Sequence, residues 1–113
     1  MAKLNATLTL EGKSGKSYKF KLFDENTKFK SISAVYLFTK RAENDNGGFS
    51  HKYVYIGQAK DLSQRFDNHH KAKCIANNKA NCIGVHSCEE SELDEIEKDL
   101  LLNNKTKCNE KLN

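Results

Sequence analysis

The sequence predicts a small α+β fold: an antiparallel sheet flanked by helices, extended at its N-terminus by a β-hairpin. Three observations predict it. Leu4, Ala6, Leu8 and Leu10, and then Tyr18, Phe20 and Leu22, alternate with polar residues, the period-two signature of half-buried strands. Three further apolar runs, at 33–39, 53–57 and 82–86, have strand length. A C-terminal stretch instead carries Leu93, Ile96, Leu100 and Leu101 at helical spacing. With 113 residues the chain has enough length for one core that folds without metal or disulfide staples.

Taken in order, residues 3–23 read as a hairpin closed by Glu11-Gly12-Lys13-Ser14-Gly15-Lys16. Gly12-Lys13-Ser14 has the composition of a phosphate loop but lacks the upstream glycine and the following helix, so it is a turn. Residues 33–39 and 53–57 form the next two strands. The stretch 41–52, with Asn44-Asp45-Asn46-Gly47-Gly48, is a long hairpin loop that includes Arg41. Asp61 is an N-cap for a helix reaching about residue 73, with Leu62, Phe66 and His69 on one face. Residues 74–81 are polar and Asn-rich, a loop or frayed turn. Cys82-Ile83-Gly84-Val85-His86 is the third core strand, and Ser87-Cys88-Glu89-Glu90 a capping box opening a helix to about residue 103. The order β-hairpin, β, β, α, β, α suits a layered α+β domain.

Hydrophobic residues make up 37% and charged residues 30% of the chain, which excludes disordered, collagen-like and membrane-spanning classes. The N-terminus lacks the apolar stretch of a secretory signal. The expectation is a cytoplasmic protein with Cys74, Cys82, Cys88 and Cys108 as free thiols. Their spacing, even with His51, His70 and His86, matches no zinc knuckle. Residues 1–80 hold fifteen Lys and Arg against seven acids, whereas residues 81–113 hold four Lys against eight acids. The first part therefore attracts polyanions, such as nucleic acid. Of the 19 basic residues only Arg41 and Arg65 are Arg, the type that grips a phosphate with two prongs.

Glu97 breaks the rule of its helix. At 100° per residue it falls about 40° from Leu93, inside the apolar stripe. A carboxylate aimed at a core is costly without a partner or a metal; it is either a glutamate reaching out of the edge or paired with a lysine, or a functional group. Arg65 and His69 are four residues apart and share a face around Phe66. Tyr36 and Tyr55 alternate with Val35 and Leu37, and with Val54 and Ile56, so each projects opposite to those neighbours.

Together these residues resemble the GIY-YIG endonuclease family. Ala34-Val35-Tyr36 and Tyr55-Ile56-Gly57 are similar to its paired motif. From Tyr55, the run through Lys60, Arg65 and His69 is similar to its most characteristic stretch, with Arg ten residues after the tyrosine and His four further on. Glu97, twelve residues before Asn109, is similar to the family's terminal glutamate helix and closing asparagine. The resemblance covers roughly residues 33–110. It departs in Ala34, where the family has glycine, in Leu37, in the nineteen residues separating the tyrosines, and in Thr106, where proline is common.

The resemblance implies a nuclease-like domain over residues 31–113, with residues 1–30 as a hairpin extension packed on it. It implies a metal-dependent DNA endonuclease in which Glu97 holds Mg²⁺ or Mn²⁺ and Arg65 grips the scissile phosphate. Tyr36 or Tyr55 accepts the proton of the attacking water, helped by Arg65 and the metal because a free tyrosine titrates near 10. His69 supports the tyrosine, while Gly57, Lys60 and Asn109 support the site. The products are a 5′-phosphate and a 3′-hydroxyl. DNA is the expected partner, with no membrane and with specificity from a protein partner or a homodimer. Two other readings are a non-catalytic nucleic-acid-binding module on the same scaffold and a protein-interaction domain with an acidic helix. The hairpin either extends the sheet or lays Lys13, Lys16, Lys19 and Lys21 along a nucleic-acid backbone.

Overall fold

The structure, a computed structural model, describes residues 3–64 and 71–109. Five strands form one sheet: β1 (Lys3–Glu11), β2 (Ser17–Asp24), β3 (Ala34–Glu43), β4 (Phe49–Ala59) and β5 (Cys82–Ser87). Their spatial order is β1-β2-β5-β3-β4, and every neighbouring pair is antiparallel. Helix α1 (Ala72–Asn77) precedes β5, and α2 (Leu93–Asn103) follows it. The fold is thus a small α+β domain. β5 enters between the two hairpins, so β1 and β2 are strands of the same sheet as β3 and β4.

Alternation along the strands divides the core in two. On one face Leu10, Tyr18, Phe20, Val35, Leu37 and Ile56 bury against Leu93, Ile96, Leu100 and Leu101, the apolar stripe of α2. On the other, Tyr36, Tyr55, Ile83 and Val85 pack with Leu62, with Ile75 of α1 and with Cys108 of the C-terminal segment. Phe38 pairs with Tyr55 but Thr39 pairs with Tyr53, so Val54 is an unpaired bulge residue. The bulge turns Val54 as well as Tyr55 towards the second face.

Several expectations are corrected here. The loop between β3 and β4 is short rather than long, because the strands continue to Glu43 and restart at Phe49. Asn44 to Gly48 close it, with Gly47 at φ +87°, where a side chain would be strained. Arg41 is a strand residue opposite His51, its guanidinium 3.7 Å over the Phe49 ring. The Asn81 side chain holds its backbone by accepting from Arg41 N–H at 2.7 Å and donating to Arg41 C=O at 3.1 Å.

Of the helix expected from Asp61 to about 73, residues 65–70 lie outside the described residues. Residues 62–64 form turns, Asp61 accepts from the Ser63 backbone and hydroxyl, and α1 (Ala72–Asn77) runs from the end of that expected helix into the stretch 74–81, expected as a loop or frayed turn. The capping box lies two residues later than expected: Glu89 and Glu92, not Ser87 and Glu90, exchange backbone and side-chain bonds around a short 3₁₀ turn leading into α2.

The free-thiol expectation fails for two of the four cysteines. Cys74 of α1 and Cys108 form a disulfide across 34 residues, with Cα atoms 5.9 Å apart, a pairing no sequence spacing announces. Cys82 and Cys88 are free, and burial pushes both thiols up.

The hairpin turn is fastened by Asp99 on α2. The Asp99 carboxylate accepts from Ser14 N–H at 2.8 Å, Ser14 Oγ at 2.7 Å and Tyr18 Oη at 2.8 Å. Its backbone carbonyl accepts from Lys13 N–H at 3.0 Å. A side chain at Gly12 would collide with that carboxylate, which explains why the turn needs glycine there. Burial, and then the bond to Asp99, push Tyr18 up to about 12. Burial acts to raise Asp99, but the bonds from Ser14 and Tyr18 outweigh it and hold the carboxyl below its usual value.

The sign of the pH dependence follows. The unfolded tyrosine loses its proton near 10 and the folded one near 12, so this pair's contribution is complete below pH 10 and falls as pH rises towards 12. Denaturant melts of wild type and Tyr18→Phe should converge over that interval. Parallel curves would contradict the coupling. Asp99→Ala should cost about 1–3 kcal/mol, because three donors lose their acceptor.

Candidate active site

The site is built around β4. Tyr36 on β3 lies directly opposite Gly57 on β4. A Cβ at Gly57 would sit 2.5 Å from Tyr36 Oη and 2.7 Å from the Tyr55 ring, so both phenols close over the bare backbone of this residue. The rings are 6.1 Å apart and inclined by 37°. Tyr36 is fully enclosed and Tyr55 is 6% exposed. The sequence-predicted tyrosine pair and Gly57 therefore come together.

The next residue, Gln58, projects to the opposite face, towards α2. Its Nε2 donates to Glu97 Oε1 at 2.8 Å and to Asp94 Oδ1 at 2.6 Å. Glu97 is half-buried, and Asp94, three residues earlier on the same helical face, is exposed. Consecutive residues of one strand thus carry the phenols on one side and two carboxylates on the other. Gln58 and Asp94 were missed in the sequence reading; the i, i+3 spacing of Asp94 and Glu97 was the available signal.

Asn109 clasps β4 from its open edge. Its Oδ1 accepts from Ile56 N–H at 2.8 Å and its Nδ2 donates to Ile56 C=O at 2.9 Å, as a neighbouring strand would. Thr106 donates to Asn109 Oδ1 at 2.6 Å. Lys107 and Cys108 N–H groups reach Tyr53 and Val54 C=O, so the segment runs along the bulge, with the Cys74 disulfide behind it. Asn109 is a positioning residue. Lys60 is exposed just beyond β4, while Arg65 and His69 lie outside the described residues.

Carboxylate oxygens are the donors a hard cation takes; here Glu97 Oε1 and Asp94 Oδ1 converge on the Gln58 amide nitrogen, which donates to both. Among the described residues no group of three or more His, Cys, Asp or Glu converges on a metal position, at Glu97 and Asp94 or anywhere else. No family model, no curated protein and no solved structure matches the chain.

Gly57→Ala should destabilise the fold by about 1–3 kcal/mol, through overpacking against Tyr36 and Tyr55. Adding Tyr36→Phe, which deletes the nearest atom, should recover part of that loss. A double-mutant cycle in chemical denaturation measures the coupling, and strict additivity would contradict the contact.

Proposed function

We propose that the chain is a metal-dependent endonuclease that hydrolyses phosphodiester bonds in DNA. The observation that supports this reading is the closure of Tyr36 and Tyr55 over Gly57; Gln58 holds Glu97 and Asp94 on the opposite face of β4, so the carboxylates and the phenols are not brought together. The spacing of Tyr36, Tyr55, Arg65, His69, Glu97 and Asn109, similar to that of GIY-YIG nucleases, supports it.

Glu97 is the residue that holds Mg²⁺ or Mn²⁺, with Asp94 beside it. The bound ion supplies neutralisation of phosphate charge. Arg65 adds a second positive group with a fork of donors. Tyr55 is the better proton acceptor, because it retains some exposure while Tyr36 is fully enclosed. Water attacks phosphorus as its proton passes to the Tyr55 phenolate, which has first given its own proton to solvent, and the bond from phosphorus to the 3′ oxygen breaks. That oxygen takes up a proton, leaving a 3′-hydroxyl and a 5′-phosphate. Tyr36 buttresses Tyr55, His69 orients it, and Gly57 and Asn109 keep β4 in position.

The enclosure of Tyr36 favours one second reading, a nucleic-acid-binding module without catalysis on the same scaffold. Incubation with supercoiled plasmid, single-stranded DNA or RNA, in Mg²⁺, Mn²⁺ or EDTA, separates the two. The nuclease reading expects nicking only with metal, reduced about 10²-fold or more in Glu97→Ala, and more by Tyr55→Phe than by Tyr36→Phe. Activity that persists in Glu97→Ala, or no cleavage of any substrate by wild type, overturns it. Among the described residues no helix is long and apolar enough to cross a membrane.

A further inference from the structure

The sheet face that carries the phenols continues across β5 and β2 into a cleft of about 590 Å³. Its floor is apolar. Phe23 and Phe29 meet edge to face at 5.2 Å, and Ile32, 38% exposed, stands at the mouth. Around this floor are the exposed residues Lys19, Lys21, Lys28 and Lys30, and none of the described residues lining the cleft is acidic. The nearby Asp24 carboxylate is engaged by the Asn26 N–H at 2.7 Å.

The wall formed by residues 27–32 is tied to the rest of the fold. Thr27 N–H donates to Asp24 C=O at 3.0 Å, and Leu62 N–H to Ile32 C=O at 2.9 Å. Register joins the cleft to the phenols. Lys21 pairs with Val85, Val85 with Tyr36, and Tyr36 with Gly57, in one row across four strands. Lys21 and Tyr36 therefore share a face, two strand spacings or about 10 Å apart.

The four hairpin lysines separate. Lys13 is held through its backbone at Asp99, and Lys16 lies 3.9 Å from Glu95 of α2. Only Lys19 and Lys21 turn to the cleft. A duplex hides its base faces and would leave the aromatic floor unused, whereas an unpaired base has a face to stack while its flanking phosphates meet ammonium groups.

We propose that this cleft binds a single-stranded nucleic-acid segment, with phosphates on Lys19, Lys21, Lys28 and Lys30 and a base against Phe23 and Phe29, leading the strand towards the phenols. The proposal deepens the nuclease reading and rests on it for the strand's destination, but binding can be measured without cleavage.

The test uses full-length Glu97→Ala protein in EDTA and follows the anisotropy of a labelled oligothymidylate over a salt series. A duplex of equal length and a heparin fragment serve as competitors. The single strand should bind more tightly than the duplex. Replacing Lys19, Lys21, Lys28 and Lys30 by Ala should flatten the slope of log affinity against log salt by about 3, near 0.7 per contact. Lys13→Ala with Lys16→Ala should leave it unchanged. Phe29→Leu, which keeps apolar bulk but removes the ring face, should weaken the oligonucleotide roughly tenfold and leave heparin unaffected.

An unchanged slope in the four-lysine variant, tighter duplex binding, or equal effects of Phe29→Leu on oligonucleotide and heparin would overturn the proposal. Nicking by wild type is scored separately. Binding without nicking defeats the nuclease reading alone, and nicking with no response to the cleft substitutions defeats the cleft alone.

Discussion

The absence of a side chain at Gly57 is the constraint on which the rest of the site depends. Among the described residues Tyr36 is the largest fully buried side chain, and its hydroxyl can lie across β4 only because Gly57 leaves that surface bare. Closing Tyr36 and Tyr55 over the strand fixes which face of β4 is apolar there. Strict alternation then sends Gln58 to the other face, where its amide meets Glu97 and Asp94. One residue without a Cβ thus sets the positions of two phenols and, through its neighbour, two carboxylates.

β4 is an edge strand, and an uncovered edge offers its backbone groups to any other chain. Here the C-terminal segment covers it. Asn109 imitates a strand partner at Ile56, while Lys107 and Cys108 bond to the bulge. The disulfide to Cys74 keeps that segment close to α1, so the strand carrying Tyr55, Gly57 and Gln58 is braced by chain from both sides of β5 in sequence. At the far side of the sheet Asp99 fastens the first hairpin to α2.

Much of the fold was legible in the sequence, because period-two alternation and the α2 stripe are local signals. The five strands, the hairpin closed at residues 11–16 and the helix bearing Glu97 all follow from such patterns. What was not legible depends on contacts distant in sequence. Arg41 looked like a loop residue because Asn and Gly cluster after it, yet stacking on Phe49 and the Asn81 clasp extend the strand through it. The polar run at 74–81 hid a short helix that is held by Ile75 and by Cys108, which comes much later in the chain. Within the site, the tyrosine pair was visible by spacing. Gln58 was not, since a strand glutamine has no signature until the facing helix supplies its acceptors. Asp99 has no local signature either, because its donors lie at Ser14 and Tyr18, far away in sequence.

The nuclease proposal places a divalent cation on the Glu97 carboxylate held at Gln58. Paramagnetic broadening by Mn²⁺ in amide NMR spectra tests it most directly. Substoichiometric Mn²⁺ should broaden the side-chain amide of Gln58 and the backbone signals of Asp94 and Glu97 first, and Glu97→Gln should abolish the effect. Broadening centred on Glu89 to Glu92 at the capping box, or broadening at Gln58 that Glu97→Gln leaves intact, would contradict it.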